Sequence, residues 1–172
     1  MNNAQQINQT SGAVEYYTPA PIIRAAYRCM GRIDLDPASC AKANETVRAK
    51  LFYTKEQDGL SLPWGSVEKP VKLWLNHPFG RGLNELWINK LISEWEDHHI
   101  DEACVITYAC TSEKWFQPLF NYPMCFLSPR TNYVGPDGKT VKGVTKGSVV
   151  TYLGGNLTNF VTAFMSIGRI KR

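Results

Sequence analysis

The chain has 172 residues, of which 44% are hydrophobic and 20% are charged, and its formal net charge is +4. These totals exclude a disordered chain and fit a soluble domain with one buried core. The charge is compatible with a polyanionic partner but does not require one. No apolar run is long enough to span a bilayer and the polar start does not resemble a secretory signal, so we expect a cytoplasmic protein without membrane contact.

The polar, amide-rich beginning of the chain predicts a flexible N-terminal tail over residues 1–14, ahead of a single domain over residues 15–172. The five cysteines are an odd number and no pair has Cys-x-x-Cys spacing. Such a set does not fit a disulfide framework or a zinc site. We therefore expect reduced, structural thiols and no metal site.

The first predicted elements are a helix, a strand and a second helix. Thr18 as N-cap and Pro19 at the first helical position predict a helix start, and Gly31 predicts its end. Arg32–Asp36 predicts a short strand, and Ala41–Lys50 predicts the second helix.

The middle of the chain predicts two buried strands around a long helix. Val71–Leu75 is an apolar run typical of a central strand, and Ala103–Ala109 is a second one. Between them, Leu83, Trp87 and Leu91 recur at every fourth position, which predicts an amphipathic helix.

The last third of the chain predicts shorter elements around a turn, followed by a solvated basic tail from residue 169. The predicted elements are a helix at Glu113–Phe120, strands at Met124–Leu127, Tyr133–Val134 and Val149–Leu153, a turn at Gly135–Gly138 and a final helix at Phe160–Ile167.

The alternation of buried strands and helices predicts an α/β fold, a three-layer Rossmann-like arrangement with a partly parallel sheet. In such sheets, ligands bind beyond the carboxyl ends of the strands. Two polar motifs, Asp36–Ser39 and Asn76–Phe79, follow predicted strands directly. We therefore expect both motifs at the same edge of the sheet.

The second motif, Asn76-His77-Pro78-Phe79, resembles the Asn/Asp-Pro-Pro-Tyr/Phe motif of amino-group methyltransferases. The exocyclic nitrogen of adenine is a poor nucleophile because its lone pair is delocalised into the ring. The Asn76 side-chain oxygen and the carbonyl of residue 77 are suited to accept its two hydrogens. Pro78 stiffens the turn, and Phe79 offers a face on which a flipped base stacks.

His77 departs from that motif, in which this position is normally proline. If residue 77 contributes only its carbonyl, histidine is tolerable in a less rigid loop. The alternatives are an altered substrate, weak activity, or a role of the imidazole itself as a ligand or general base.

Taken together, six segments resemble the phage-type DNA N6-adenine methyltransferase family, in matching order from about Glu15 to Gly168. They are Tyr17-Thr18-Pro19, Ile33–Ser39, Asp58-Gly59-Leu60, Trp64, Trp74–Phe79 and Lys114-Trp115-Phe116. The resemblance implies a compact methyltransferase domain that uses S-adenosylmethionine and methylates adenine in double-stranded DNA. It also implies the host cytoplasm as location if a phage encodes the chain, where methylation serves restriction evasion or another purpose.

The resemblance also implies a set of cofactor-binding residues: Tyr17, Thr18, Pro19, Asp36, Pro37, Ala38, Ser39 and Asp58. The Asp36–Ser39 loop replaces the glycine-rich turn of most methyltransferases, and Asp36 faces the methionine ammonium group. Asp58 lies near the adenosine end or the mouth of the target pocket. Without the resemblance, Asp36 is a strand-end turn residue and Asp58 forms an Asx turn with Gly59.

Basic residues around the predicted turn suggest contact with nucleic acid, although a solvated hairpin fits them equally. The candidate DNA-binding residues are Arg81, Arg130, Lys139, Lys142 and Lys146. The two motifs are too close in sequence for a separate recognition domain between them. Recognition must come from such loops or from a second subunit in a homodimer, so we expect a short or relaxed target sequence.

Two other functions remain open at this point. One is methylation of an amino group in RNA or protein by the same chemistry. The other is a degenerate methyltransferase fold that binds nucleic acid or a partner without catalysis, an alternative that His77 keeps open. Cofactor binding separates the second alternative from both enzymes.

Overall fold

The computed structural model describes residues 16–80, 82–142 and 144–172. The predicted tail and Arg81 lie outside the described residues. The described helices are α1 (Ala20–Met30), α2 (Ala41–Val47), α3 (Leu83–Glu96), α4 (Leu157–Phe164) and a 3₁₀ helix (Lys114–Asn121). The described strands are β1 (Leu35–Asp36), β2 (Leu51–Phe52), β3 (Val71–Leu75), β4 (Ile100–Tyr108), β5 (Met124–Leu127), β6 (Ser148–Leu153) and β7 (Gly168–Lys171).

The described strands form one sheet in the order β2-β1-β3-β4-β6-β5-β7. β2, β1, β3 and β4 are parallel, whereas β6 is antiparallel to β4 and β5, and β7 is antiparallel to β5. The carboxyl ends of β1, β3, β4 and β5 therefore lie at one edge. The expectation that both polar motifs lie at the same edge of the sheet is confirmed.

Helices cover both faces of the sheet. On one face, α1 and α4 pack together through buried side chains such as Ile23, Ala26, Phe160 and Phe164. On the other face, α3 and the 3₁₀ helix contribute a second buried cluster. Each helix buries an apolar stripe against the nearly continuous apolar surface of the central strands, as amphipathic helices do. The predicted three-layer Rossmann-like α/β fold is confirmed.

The predicted start of α1 is wrong in its capping residue. Pro19, not Thr18, is the N-cap, no side chain caps the helix, and the Pro19 carbonyl accepts from the Ile22 N–H at 3.0 Å. The reason is local: Pro21 has no backbone N–H, so the first turn has one donor fewer that a capping side chain could satisfy. This placement leaves the Thr18 side chain free for another role.

The second predicted helix is shorter than its sequence suggests. It ends at Val47 because Arg48 adopts a left-handed conformation with φ of 54°. The side-chain amide of Asn44 then hydrogen-bonds to the backbone of Ala49. It accepts from the Ala49 N–H at 2.8 Å and donates to the Ala49 carbonyl at 3.2 Å. A side chain thus replaces the helical hydrogen bonds beyond residue 47.

Two predictions in the last third are also corrected. Tyr133–Val134 is not a strand, because Val134 forms only isolated bridges with Tyr17 and Thr140. The predicted solvated tail is strand β7, whose backbone pairs with β5, and the Lys171 ammonium group donates to the Phe120 carbonyl. An edge strand is paired on one side only and commonly carries charged side chains, such as that of the exposed Arg169.

Candidate active site

A cavity of about 520 Å³ lies at the carboxyl ends of β1 and β3. Its wall includes both polar motifs and most of the residues that the sequence marks as cofactor-binding. Pro19 is the exception and lies on a neighbouring groove at the start of α1. A cavity of this size is within the range that holds small molecules and cofactors.

The loop after β1 is held by a segment that follows β2. A β-carbon on Gly59 would overlap the carbonyl oxygen of Pro37, so the two backbones touch. The Trp64 indole donates to the Gly59 carbonyl at 2.8 Å, and its ring stacks on Trp87 of α3. Glycine at position 59 is therefore required by close backbone approach. This contact joins the Asp-Pro-Ala-Ser, Asp-Gly-Leu and Trp64 segments into one unit.

Asp36 is a buried carboxyl group in the cavity wall, with 2% of its surface exposed. Burial raises its pKa from 3.8 to about 7, although the Ala38 N–H, 3.3 Å from Oδ1, opposes the shift. Among the described residues, it forms no ion pair. A cationic ligand would relieve the cost of ionising this carboxyl group.

Two other cofactor candidates differ in their surroundings. The Thr18 hydroxyl is buried in the cavity wall without a described hydrogen-bond partner. Such orphaned polar atoms are rare in native proteins and fit a site that a ligand completes. Asp58 is exposed, has φ of 53°, and accepts from the Leu60 N–H at 3.2 Å. The Asx turn considered from the sequence therefore exists, and the same residue also lines the cavity.

Asn76 has a fixed orientation at the end of β3. Its Nδ2 donates to the Tyr16 carbonyl at 2.7 Å. Because only the amide nitrogen can donate, this bond identifies the remaining atom, Oδ1, as the acceptor. Within the described part of the chain, Oδ1 has no hydrogen-bond donor. The arrangement presents an oriented acceptor beside the cavity.

His77 is buried, with 1% of its surface exposed, and its ring lies parallel to Trp87 at a centroid distance of 6.3 Å. Its Nδ1 lies 3.1 Å from the Pro78 carbonyl oxygen. Burial lowers the pKa of His77 to about 4, with the Pro78 contact opposing the shift. The imidazole is therefore neutral at physiological pH. It belongs to the cavity wall and not to the solvent-exposed surface.

Phe79 belongs to an aromatic cluster that the sequence motif did not reveal. Its ring centroid lies 4.4 Å from that of Tyr108 and 6.2 Å from that of the fully buried Tyr133. Tyr108 is the last residue of β4, so it comes next to the Asn76 loop where the two parallel strands end. The signal available in the sequence was an aromatic residue closing an apolar run beside the motif strand.

A comparison with protein-family models decides the family. The model described as DNA N-6-adenine-methyltransferase (Dam) matches residues 9–165. The chain belongs to this family. A comparison with curated proteins gave no match.

For a member of the Dam family, the exposed cations between β5 and β6 are of interest. Arg130, Lys139, Lys142 and Lys146 are all exposed. The Lys146 ammonium group lies 5.5 Å from the centre of the Tyr108 ring, and Lys139 lies 3.8 Å from the Asp137 carboxylate. The fifth predicted DNA-binding residue, Arg81, lies outside the described residues.

The segment between β5 and β6, which carries these basic residues, is joined to the cavity wall at Tyr17. Tyr17 and Val134 exchange two backbone hydrogen bonds of 2.8 and 2.9 Å. The predicted turn at Gly135–Gly138 is confirmed, because the Gly138 N–H donates to the Gly135 carbonyl at 2.9 Å. In the described ranges, no group of acidic, histidine or cysteine side chains is arranged to hold a metal, and no helix is long and apolar enough to cross a membrane.

Proposed function

We propose that this Dam-family protein transfers a methyl group from S-adenosylmethionine to the exocyclic amine of an adenine flipped out of double-stranded DNA. The observation that carries the proposal is the oriented amide of Asn76. Its nitrogen is committed to the Tyr16 carbonyl, so its oxygen faces a substrate as an acceptor only. Rotating the amide by 180° would break this bond and set Oδ1 against the Tyr16 carbonyl oxygen, so the observed orientation is favoured.

The chemistry of the target explains why a fixed acceptor matters. Hydrogen bonds from the adenine amino group to Asn76 Oδ1 and to the backbone carbonyl of residue 77 localise the nitrogen lone pair. Preorganised acceptors of this kind stabilise the charge that develops on the nitrogen during methyl transfer. Phe79, supported by Tyr108 at 4.4 Å, supplies a face for stacking the flipped base. These residues position and activate the nucleophile without a covalent intermediate.

The cavity wall fits a cofactor that carries both a cation and polar groups. When bound, S-adenosylmethionine supplies an electrophilic methyl group on its sulfonium. Asp36, buried and without an ion-pair partner among the described residues, is suited to hold the methionine ammonium group. The unpaired Thr18 hydroxyl offers a further polar contact, and Asp58 lies beside the same cavity.

We assign contact with DNA to the exposed basic residues between β5 and β6. Lys146 precedes β6, whose first residue pairs with Tyr108, and Arg130 follows β5. Both residues are therefore close to the edge that carries the Asn76 loop. Recognition by this segment, alone or with a second subunit of a homodimer, suits a short target sequence in cytoplasmic DNA.

The decisive experiment is transfer of labelled methyl from S-adenosylmethionine to unmethylated DNA, followed by digestion and mass spectrometry of the nucleosides. We expect N6-methyladenine from the native protein. We expect a loss of at least about a hundredfold in Asn76→Ala, because a preorganised electrostatic contact is removed. Asn121→Ala, which changes an exposed asparagine of the 3₁₀ helix, is the matched control and should retain activity.

The outcomes separate the candidate functions. Full activity in Asn76→Ala with a normal control would refute the role of Asn76. Transfer to RNA or protein, but not to DNA, would refute the proposed substrate. Failure of the native protein to bind the cofactor in calorimetry would favour a degenerate, non-enzymatic fold.

A further inference from the structure

The Nε2 atom of His77 is a buried polar atom for which the proposed reaction has no use. The side chain belongs to the cavity wall, yet Nε2 has no hydrogen-bond partner among the described residues. The proposed chemistry uses only the backbone carbonyl of this residue. Native proteins rarely leave a buried polar side-chain atom unsatisfied, so the atom requires an explanation.

The contacts of the ring define what kind of partner is missing. A carbonyl oxygen can only accept, so the contact of Nδ1 with the Pro78 carbonyl at 3.1 Å places the ring proton on Nδ1. Nε2 then carries a bare lone pair. With its pKa lowered to about 4 by burial, the ring stays neutral, and Nε2 stays an acceptor. The missing partner is therefore an N–H or O–H donor.

The ring has little freedom to find that donor elsewhere in the chain. It is stacked on Trp87 with an interplanar angle of 7°, and the Phe79 ring meets it edge-on at a centroid distance of 5.3 Å. Turning the ring over would break the contact of Nδ1 with the Pro78 carbonyl, because each ring nitrogen would change places with a ring carbon. The orientation of the ring, which belongs to the wall of a ligand-sized cavity, is thus fixed by its contacts.

We propose that His77 Nε2 accepts a hydrogen bond from an N–H or O–H group of a nucleoside bound in this cavity. The inference rests on the proposed function, which supplies two nucleosides: the adenosine part of the cofactor and the target deoxyadenosine. It gives His77 a binding role that a proline at this position could not perform, since proline has no side-chain acceptor.

The test is nitrogen NMR on the unaltered protein with labelled histidine, which is tractable because the chain has 3 histidines. Without ligand, His77 should show a protonated Nδ1 and an unprotonated Nε2. S-adenosylhomocysteine alone is added first, and a duplex containing adenine is added second. An upfield shift of the Nε2 resonance on the first addition assigns the donor to the cofactor, and a shift only on the second assigns it to the target base.

Variants provide an independent readout. His77→Phe keeps the stacking on Trp87 but removes the acceptor, and should weaken binding of the ligand that shifts Nε2 by roughly two- to tenfold, as for loss of one neutral hydrogen bond. His77→Gln restores an acceptor and should recover part of the loss. His98→Asn, an exposed histidine with φ of 60°, is the control, because asparagine tolerates this backbone conformation.

An unchanged Nε2 resonance, with both ligands shown by calorimetry to be bound, overturns the inference and leaves the proposed function intact. Unchanged affinities in a folded His77→Phe variant overturn it as well. If that variant does not fold, the NMR result on the native protein still decides. If calorimetry detects no binding of S-adenosylhomocysteine, the proposed function fails and this inference fails with it.

Discussion

At the scale of single residues, two buried titratable side chains face the same cavity with opposite shifts in pKa. Burial raises the pKa of Asp36 to about 7 and lowers that of His77 to about 4. Both shifts have one cause, because a low-dielectric wall disfavours the charged form of either group. At neutral pH, the cavity therefore offers a neutral imidazole and a carboxyl group that is poised to ionise when a cation arrives.

Asp36 is expected to make cofactor binding depend on pH. Between pH 3.8 and about 7 the folded protein binds a proton at this carboxyl group that the unfolded chain releases. The ligand-free protein thus loses stability as pH rises through that window. A cationic ligand prefers the ionised carboxylate, so its affinity should rise as pH rises towards and through about 7.

The corresponding variant is Asp36→Asn. We expect it to weaken binding of S-adenosylhomocysteine roughly tenfold or more, because a charge-assisted contact is lost, and to flatten the pH profile between pH 6 and 8. Calorimetry across that range measures both effects, and denaturant titration without ligand checks that the variant folds. An unchanged dissociation constant and an unchanged pH profile would refute the assignment of Asp36.

At the scale of secondary-structure elements, the sequence predicts the long buried helices and strands well and the short strands poorly. β3 was predicted with its observed bounds, and α3 was predicted from its apolar stripe, because burial imposes a clear pattern on such elements. β2 was not predicted, since two residues, one of them exposed, carry no periodicity. β7 was missed because an edge strand tolerates basic side chains that look like a solvated tail.

The candidate site shows the same division between local and tertiary information. The Asn76–Phe79 motif could be predicted because its chemistry lies in consecutive residues. The partner of Asn76, the Tyr16 carbonyl, and the partner of Phe79, the Tyr108 ring, are both far away in sequence. They come close to the motif only because the strands pair and the fold brings distant parts of the chain together. No local pattern encodes such meetings, so they emerge only from the assembled fold.

The contact between the loops after β1 and β2 gives a prediction at this scale. Gly59→Ala should place a methyl group against the Pro37 carbonyl and force the two loops apart. We expect a loss of about 1–3 kcal/mol in the free energy of unfolding, as for overpacking, together with weaker cofactor binding. Gly155→Ala is the control, since a β-carbon there meets no atom within 4 Å. Equal stability of the two variants in urea titration would contradict the structural role of Gly59.

At the scale of the whole molecule, the carboxyl ends of the parallel strands (the carboxyl edge) and their amino ends (the opposite edge) have different roles. The carboxyl edge gathers the Asp36 and Asn76 loops and the exposed Lys146. The opposite edge holds a buried polar network in which Glu102 accepts from Tyr152 and pairs with Lys72, both at 2.5 Å. The network satisfies its own charges, and that edge therefore supports the fold, while the carboxyl edge remains available for ligands.

This difference between the two edges of the sheet predicts how DNA binding responds to salt. Neutralising phosphates releases condensed counterions, so each lysine that contacts a phosphate contributes about one unit to the slope of log affinity against log salt concentration. The double variant Lys142→Ala, Lys146→Ala should lower that slope by about one to two and weaken binding similarly for all sequences. Lys69→Ala, at an exposed lysine just before β3 at the opposite edge, should change neither quantity. Fluorescence anisotropy over a salt series measures both. Equal effects of the two changes would mean that DNA does not favour the carboxyl edge, whereas the expected contrast would place the duplex against the cavity.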